Sequence, residues 1–218
     1  MSNRLSEKIC SKLAQVEQLF GILSLLMIAA GCTLVDSQID LAYRVEAARK
    51  SPLSTIKPLI LRVEVRDRRD VSDPQLIGYK KSSFGNVLAS IKSKQEVSRV
   101  VRLALETELR NNGHAISLDN EAGFDATLAV SIKKLWTEPI VKIVDVQVLG
   151  TVNADIEVID SVKRRIAART IIGTQLESWQ LSINDGYDRV LNGALREFVR
   201  NFARDPDLLK ALRDVSTR

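Results

Sequence analysis

The sequence IVDVQVLGTVNADIEVI, residues 143–159, decides the fold of this chain. Apolar or small residues stand at every second position from Val146 to Val158, and most positions between them are polar. A period of two is typical of a β-strand that buries one face and exposes the other. The stretch therefore predicts a long strand in a sheet with one buried face.

The segments on either side continue this alternation. Residues 126–136 precede the long run, and residues 163–173 follow it after a turn at Asp160-Ser161. Residues 175–181 extend the last strand past a bulge that we predict at Gly173. The three segments predict an antiparallel meander. Shorter strands are predicted earlier in the chain, at residues 39–45, 59–66, 76–79, 86–89 and 115–118.

Three other segments have helical spacing. Ser93–Glu96 has the pattern of a capping box and predicts a first helix at residues 94–112. Ser182–Asp185 predicts the cap of a second helix, and Asp205-Pro206 begins a short third one. The order of strands and helices predicts an α+β domain with an antiparallel or mixed sheet and two main helices packed on one face.

An uncharged, mostly apolar run precedes Cys32 and follows a segment that contains Arg4, Lys8 and Lys12. This layout, with small residues before the cysteine, is typical of a bacterial secretory signal. A cysteine thiolate is the nucleophile that accepts a diacylglycerol, and the pattern resembles a lipobox. A buried core helix is the alternative interpretation, whereas the run is too short to span a bilayer.

We therefore predict a lipoprotein signal peptide at residues 1–31, which is cleaved, and an acylated tether at residues 32–38. Residues 39–218 are predicted to form a single α+β periplasmic domain. Thr33 follows the lipidated cysteine, at the position where Asp retains enterobacterial lipoproteins in the inner membrane. By that analogy the predicted location is the periplasmic face of the outer membrane, held by the lipid anchor.

Composition argues against several kinds of site. Cys10 and Cys32 are the two cysteines, so the predicted mature domain has neither a free thiol nor a disulfide. His114 is the single histidine, and no zinc site is expected. The chain has a net charge of +5, of which residues 1–31 contribute +1, so the predicted mature domain has a net charge of +4. This charge suits a domain close to anionic lipid or glycan. No metal and no cofactor is predicted apart from the acyl lipid on Cys32.

A resemblance to a known family extends over nearly the whole predicted domain. It is carried by residues 29–32, 65–69, 77–78, 109–113, 126–130 and 154–158, the helix around Ala194-Leu195, and residues 205–212. In these segments the chain resembles the YajG-like family of bacterial envelope lipoproteins. The resemblance implies a small α+β fold of a kind that commonly binds protein partners. It implies no catalytic residues, because the family has no assigned biochemical activity.

Two basic clusters are candidate binding residues for the phosphate groups of lipids or glycans. The first is Arg68-Arg69, and the second is Lys163-Arg164-Arg165. Both stand at predicted strand ends or turns, where the alternative is that the charges are simply solvated. Nucleic acid is not expected as a partner because of the predicted compartment.

Trp136 and Trp179 are the candidate aromatic anchors, each at a predicted strand end beside a glutamate. An aromatic ring there can anchor a partner or stack on a sugar, or it can cover the edge of the sheet. His114 and the pair Asp155 and Glu157 are weaker candidates for acid–base chemistry. We interpret the histidine as structural or solvated and the two acids as solvent-facing charges.

These features predict a membrane-anchored, non-enzymatic envelope lipoprotein that binds an envelope protein as a periplasmic assembly accessory. The alternative function is binding of an anionic lipid headgroup or of peptidoglycan by the basic clusters and tryptophans. A small envelope hydrolase is the third hypothesis, and it would need a deep pocket with convergent polar groups.

Overall fold

The computed structural model describes residues 35–45, 50–82, 84–117, 123–141, 146–179 and 186–217. The predicted signal peptide, Cys32 and the predicted cap Ser182–Asp185 lie outside these ranges. Within them the chain is α+β, with an eight-stranded mixed sheet and three helices, which confirms the predicted class. None of the described helices is long and apolar enough to cross a membrane.

The strands are β1 Ser37–Ile39, β2 Ile60–Asp67, β3 Leu76–Lys81, β4 Val87–Ser93, β5 Ala115–Ile116, β6 Ala126–Val141, β7 Val146–Asp160 and β8 Arg165–Trp179. The helices are α1 Val97–Asn111, α2 Tyr187–Phe202 and α3 Pro206–Ser216, and a 3₁₀ turn covers Pro52–Thr55. The predicted strand at residues 39–45 is wrong, because β1 ends at Ile39, where the chain leaves β4, although Leu41 remains buried.

Strand β6 is the axis of the sheet, since it pairs with three other strands. Along one side it pairs with β7 over its whole length, in the antiparallel sense. On its other side the first half pairs with β2 in the parallel sense, and Thr137 in the second half pairs with Gly78 of β3. The sheet therefore divides at the middle of β6 into two branches, β2–β5 and β3–β4–β1.

Strands β6, β7 and β8 form the predicted antiparallel meander. The buried positions of β7 run from Val148 to Val158 in steps of two, as the alternation predicts. The predicted bulge at Gly173 is wrong, because Gly173 pairs in continuous register with Val152. The irregularities of the meander lie between Ile132 and Lys134 and between Val158 and Ile159.

The glycine at position 173 serves helix packing instead. A Cβ atom added there would lie 2.2 Å from the backbone nitrogen of Phe198 and 2.3 Å from the carbonyl oxygen of Ala194. Gly150 has the same role one strand away, where an added Cβ would meet Val190 Cγ1 at 2.8 Å. The backbone of α2 therefore lies directly on the sheet, which fixes the covered face of the meander.

The start of α1 differs from the predicted capping box. The helix begins at Val97 with Glu96 as its cap residue, and no side chain bonds to the free amides of its first turn. Ser93 is instead the last residue of β4, and its hydroxyl accepts a bond from the Gln95 amide at 3.3 Å. The predicted start of α3 is confirmed, because the Asp205 carboxylate accepts bonds from the Asp207 and Leu208 amides.

Candidate functional site

The open face of the meander, opposite the helices, carries several of the candidate residues. Trp136 lies on it, inside β6 rather than at the strand end that the sequence predicts, because β6 continues to Val141. Its half-buried ring meets Tyr79 of β3 edge to face, with the ring centroids 5.5 Å apart. Trp179 is the last residue of β8 and pairs with Val146.

Exposed apolar side chains continue this face along β8. Ile172 is 47% exposed and Leu176 is 50% exposed, and the cross-strand partner of Leu176 is Leu149. In the described part of the chain, β8 pairs with β7 alone, so its other edge has no strand beside it. The Asn201 side chain donates a bond of 2.8 Å to the carbonyl of Ile172 and covers one point of that edge.

The first basic cluster divides into one exposed and one internal arginine. Arg68 is exposed. Arg69 has a side chain that is 3% exposed, and its guanidinium donates to the Asp67 carboxylate at 2.7 Å. It also donates to the carbonyls of Pro74, Leu76 and Leu135. Asp67 thus pairs within its own segment. The Arg69 guanidinium is engaged by these internal contacts and does not serve as a ligand-binding group.

The Asp67 carboxyl illustrates two opposed effects of this environment. Burial by itself would raise its pKa. The hydrogen bonds and positive charge of Arg69 outweigh the burial and hold the pKa below its ordinary value. The Asp67 carboxyl is therefore ionised at neutral pH.

The second basic cluster forms the hairpin between β7 and β8. Lys163 stands at the turn with a φ of 63°, and its amide donates to the Asp160 carbonyl at 3.0 Å. Arg164 pairs with Asp160 at 3.2 Å, and Arg165 pairs with Glu157 at 3.0 Å. The neighbouring Val162 is 76% exposed at the tip. Lys163 is exposed, and the two arginines are partly neutralised by their partners.

The predicted acid pair does not form a catalytic arrangement. Asp155 accepts from Lys133 at 2.9 Å and from the Thr170 hydroxyl at 2.7 Å, and these contacts lower its pKa. Glu157 pairs with Arg165. Each of these two carboxylates is thus paired with its own cation, and the two are not arranged as an acid–base pair. The described residues contain no group of three or more His, Cys, Asp or Glu side chains that could hold a metal ion.

His114 is a structural residue. It is 3% exposed, its Nδ1 accepts from the Leu59 amide at 3.3 Å, and its Nε2 lies 3.2 Å from the Leu53 carbonyl. Nδ1 acts as an acceptor, which assigns the proton of the neutral ring to Nε2. The histidine thereby fastens the 3₁₀ turn and the start of β2 to the chain that follows α1. Burial lowers its pKa.

A cleft of about 440 Å³, which the sequence patterns did not predict, lies between α1, α2 and residues 43–45 and 50–51. Its cationic lining residues are Arg44, Lys50, Arg196, Arg200 and Arg204. Arg200 pairs with Glu197, and the Lys50 ammonium donates to the carbonyl of Asn111. The side chains of the three other arginines make no hydrogen bond or ion pair with the described residues. The available signal was a spacing of four residues, which places Arg196 and Arg200 on one face of α2. Arg204 follows four residues later, just after the helix ends at Phe202.

A buried carboxylate lies at the α1 side of the cleft. Glu108 is 5% exposed, and it accepts from the Tyr43 hydroxyl at 2.7 Å and from the Asn112 side-chain amide at 2.9 Å. Asn112 also accepts from the Ser51 amide at 2.8 Å. These bonds attach Tyr43 and Ser51 to the end of α1 and so hold their neighbours Arg44 and Lys50 beside α2.

Comparison with models of known protein families identifies the family of the chain. Residues 48–213 match a family model described as "Uncharacterized lipoprotein". The chain belongs to this family of lipoproteins. The assignment confirms the prediction of a bacterial lipoprotein and implies a location in the cell envelope. The narrower resemblance to the YajG-like group stays a prediction. A comparison with curated protein sequences gives no match.

Solved structures add a likeness of fold. A protein from Xanthomonas campestris is 13% identical with a TM-score of 0.61, and the alignment covers 84% of this chain and 100% of that one. A minor lipoprotein from Acinetobacter baumannii is also 13% identical, with a TM-score of 0.38 and coverage of 74% and 93%. The first similarity shows a shared fold and nothing about function. The second is too low to indicate even a shared fold.

Replacing Arg69 by Ala is expected to lower the free energy of unfolding by about 3–5 kcal/mol, because it leaves a partly buried Asp67 carboxylate and several carbonyls without their donor. Arg69→Lys should recover only part of the loss, since an ammonium lacks the planar fork of guanidinium. Arg68→Ala is the matched control and should stay within about 0.5 kcal/mol. Urea unfolding measures all three variants. Equal effects of Arg68→Ala and Arg69→Ala would contradict the structural role.

The lowered pKa of His114 predicts the direction of one pH dependence. Between its folded pKa and its ordinary value near 6.5, the unfolded chain binds more protons than the folded one. The stability contributed by neutral His114 is therefore present above that ordinary value and is lost as the pH falls below it. His114→Gln should be less stable at pH 7 by roughly 1–3 kcal/mol and should show a flatter stability curve between pH 7.5 and 5.5. Parallel curves for the two proteins would contradict this assignment.

Proposed function

We propose that the chain is an outer-membrane lipoprotein, acylated on Cys32, that acts without catalysis by binding an envelope protein in the periplasm. Membership of the lipoprotein family supports the envelope location. The observation that carries the binding role is the long edge of β8. A partner segment can add a strand there and gain main-chain hydrogen bonds, and side-chain contacts then provide specificity.

Strand length distinguishes β8 from the other edges of the described sheet. The edge strands β1 and β5 contain three and two residues, whereas β8 contains 15. Proteins usually keep free edges short or covered, because an exposed edge pairs with other chains. The Asn201 bond covers the edge at Ile172, and Arg169 forms ion pairs with Asp205 and Asp207 of the α3 start. The part from Thr174 to Ser178 is the section that we assign to the partner.

The side chains beside this section suit a protein surface. Leu176 is half exposed on the open face, and the Trp136–Tyr79 pair stands on the same face toward β3. Aromatic residues held rigidly by packing lose little entropy on binding and are frequent among the residues that dominate interface energies. We assign Leu176 and Trp136 as the apolar contacts of the partner and the β8 edge as its hydrogen-bonding template.

Binding of an anionic ligand is the second candidate function, and the arginine cleft favours it. The cleft volume falls in the range of small-ligand sites. Guanidinium groups match phosphate and carboxylate oxygens in a bidentate geometry, and three of the five cations have no acceptor in the described structure. This proposal transfers the lipid- or glycan-binding role from the predicted clusters to Arg44, Arg196 and Arg204.

The protein-binding proposal is tested by in-cell photo-crosslinking with a benzophenone amino acid at position 174. One discrete protein adduct is expected there, and none from the probe at position 210, an exposed lysine of α3. Adding Leu176→Lys should reduce the adduct by about fivefold or more, because an apolar contact worth roughly 1 kcal/mol is lost. The substitution should leave stability within about 0.5 kcal/mol, since the side chain is already half exposed. The same adducts at 174 and 210, or no effect of Leu176→Lys, would contradict the proposal.

The second candidate predicts salt-sensitive binding of the mature protein to anionic vesicles or to isolated sacculi. The double variant Arg196→Ala, Arg204→Ala should abolish this binding. The control is the double variant Lys210→Ala, Arg213→Ala on α3, which removes the same number of charges at a site outside the cleft and should preserve the binding. Equal losses in the two double variants would mean that general surface charge, and not the cleft, attracts the ligand.

A further inference from the structure

Three of the most exposed apolar side chains lie at the turn between β3 and β4 and at the start of the described chain. Phe84 is 90% exposed, Val35 is 64% exposed and Val87 is 57% exposed. Lys81, also exposed, ends β3 and pairs in register with Val87. These four residues are called the hairpin patch below.

Hydrogen bonds hold the start of the described chain against this hairpin. The carbonyl of Val35 accepts from the Lys80 ammonium at 3.0 Å, and the Asp36 carboxylate accepts from the Ser90 amide at 2.7 Å. Strand β1 then pairs with β4 in the parallel sense, with Ser37 opposite Ile91. Because the two strands are parallel, Val35 lies on the side of β4 that leads back to Val87 and the turn.

Main-chain bonds join Ser82 to Gly85 and Asn86 across the hairpin. The Gly85 amide donates to the Ser82 carbonyl at 2.9 Å, and the Ser82 amide donates to the Asn86 carbonyl at 2.8 Å. Gly85 has a φ of 83°, which a side chain at that position would strain. Phe84, which directly precedes Gly85, is exposed at the end of the hairpin.

Chain length places this patch close to the proposed lipid. Only two residues lie between Cys32 and Val35, which makes three Cα-to-Cα steps, and an extended chain advances at most about 3.6 Å per residue. The Cys32 Cα is then within roughly 11 Å of the Val35 Cα. Within the predicted tether of residues 32–38, the chain is already hydrogen-bonded to the domain at Val35 and Asp36. The part of the tether that precedes these bonds is therefore short.

We infer that the hairpin patch lies against the bilayer that contains the acyl chains of Cys32, with Phe84 and Val87 at the level of the lipid headgroups. The inference rests on the lipid anchoring that is part of the proposed function. Aromatic and aliphatic side chains gain free energy on leaving water at the interface, and a neighbouring lysine reaches lipid phosphate. Two attachment points, the acyl chains and the patch, fix the orientation of the domain on the membrane.

The sheet then points away from the bilayer. Strand β3 runs parallel to β6, so the hairpin patch is at the Val141 end of β6. The β7–β8 hairpin is at the opposite end, because Ala126 pairs with Asp160. At about 3.3 Å per residue, the 16 residues of β6 separate the two ends by roughly 50 Å. Lys163 therefore faces the periplasm and does not reach the membrane of its own anchor.

An environment-sensitive label tests the orientation. Phe84→Cys and, separately, Val87→Cys are made in the full-length chain, and the mature protein is labelled with a nitrobenzoxadiazole dye and placed in vesicles of phosphatidylethanolamine and phosphatidylglycerol. Cys10 is removed with the leader and the thiol of Cys32 is blocked by its lipid, so the new thiol is the reactive one. We expect a blue shift of the dye emission and quenching by spin-labelled lipid at both positions. Val162→Cys, in the opposite hairpin, is the matched control and should show neither effect.

The outcomes separate the two proposals. Labelling of the unsubstituted protein, or its failure to sediment with vesicles, would mean that Cys32 is not lipidated and would overturn the anchoring. Anchored protein whose labels at 84 and 87 behave like the label at 162 would overturn the inference and leave the anchoring intact. Quenching at position 84 and not at 87, or the reverse, would also contradict the inference. Lys81 pairs with Val87, and Phe84 lies between them in the chain, so positions 84 and 87 are at the same end of the sheet.

Discussion

The buried guanidinium of Arg69 holds the junction on which the sheet depends. Strand β6 changes its neighbour from β2 to β3 at this point, and the change leaves main-chain carbonyls without a strand partner. Arg69 donates to the carbonyl of Leu135 on β6 and to those of Pro74 and Leu76 at the start of β3. Asp67 at the end of β2 balances its charge. One side chain thus satisfies the acceptors that the division of the sheet leaves free.

Close packing of α2 explains why the sheet has one covered face and one open face. Gly150 and Gly173 let the helix backbone approach two adjacent strands without an intervening side chain. The large apolar residues of α2, such as Phe198 and Phe202, are then almost wholly buried. The described helices pack on this face, and the Trp136–Tyr79 pair and Leu176 remain on the other. The same arrangement that completes the core therefore leaves the surface that we assign to a partner.

Local patterns predicted the parts of the fold that depend on local physics. The alternation of β7, the apolar stripe of α2 and the Asp205 cap were predictable because each depends on residues a few positions apart. The parallel pairing of β2 with β6 joins segments some 65 residues apart and has no local signature. The capping box at Ser93–Glu96 failed for a related reason, since pairing with β1 extends β4 through Ser93.

The candidate site was less predictable than the fold. A basic cluster in a sequence does not reveal which of its members form contacts inside the protein. Arg68 is exposed, whereas the neighbouring Arg69 is buried and bonded to the protein itself. The cleft depends on the Tyr43–Glu108 bond, which joins a loop to a helix 65 positions away. Its helical arginines were visible as a four-residue spacing, but their convergence with Arg44 required the tertiary structure.

The length of β6 has a further consequence for the envelope. A strand paired along its whole length with β7 is stiff, so the distance between its two ends is constant rather than averaged over many conformations. In the proposed orientation, with the hairpin patch at the bilayer, the domain would act as a rigid spacer whose far hairpin occupies a narrow range of heights above the membrane. A flexible linker of equal contour would sample all heights below its full extension. A component that contacts Lys163 would then be selected by its height above the membrane as well as by its chemistry.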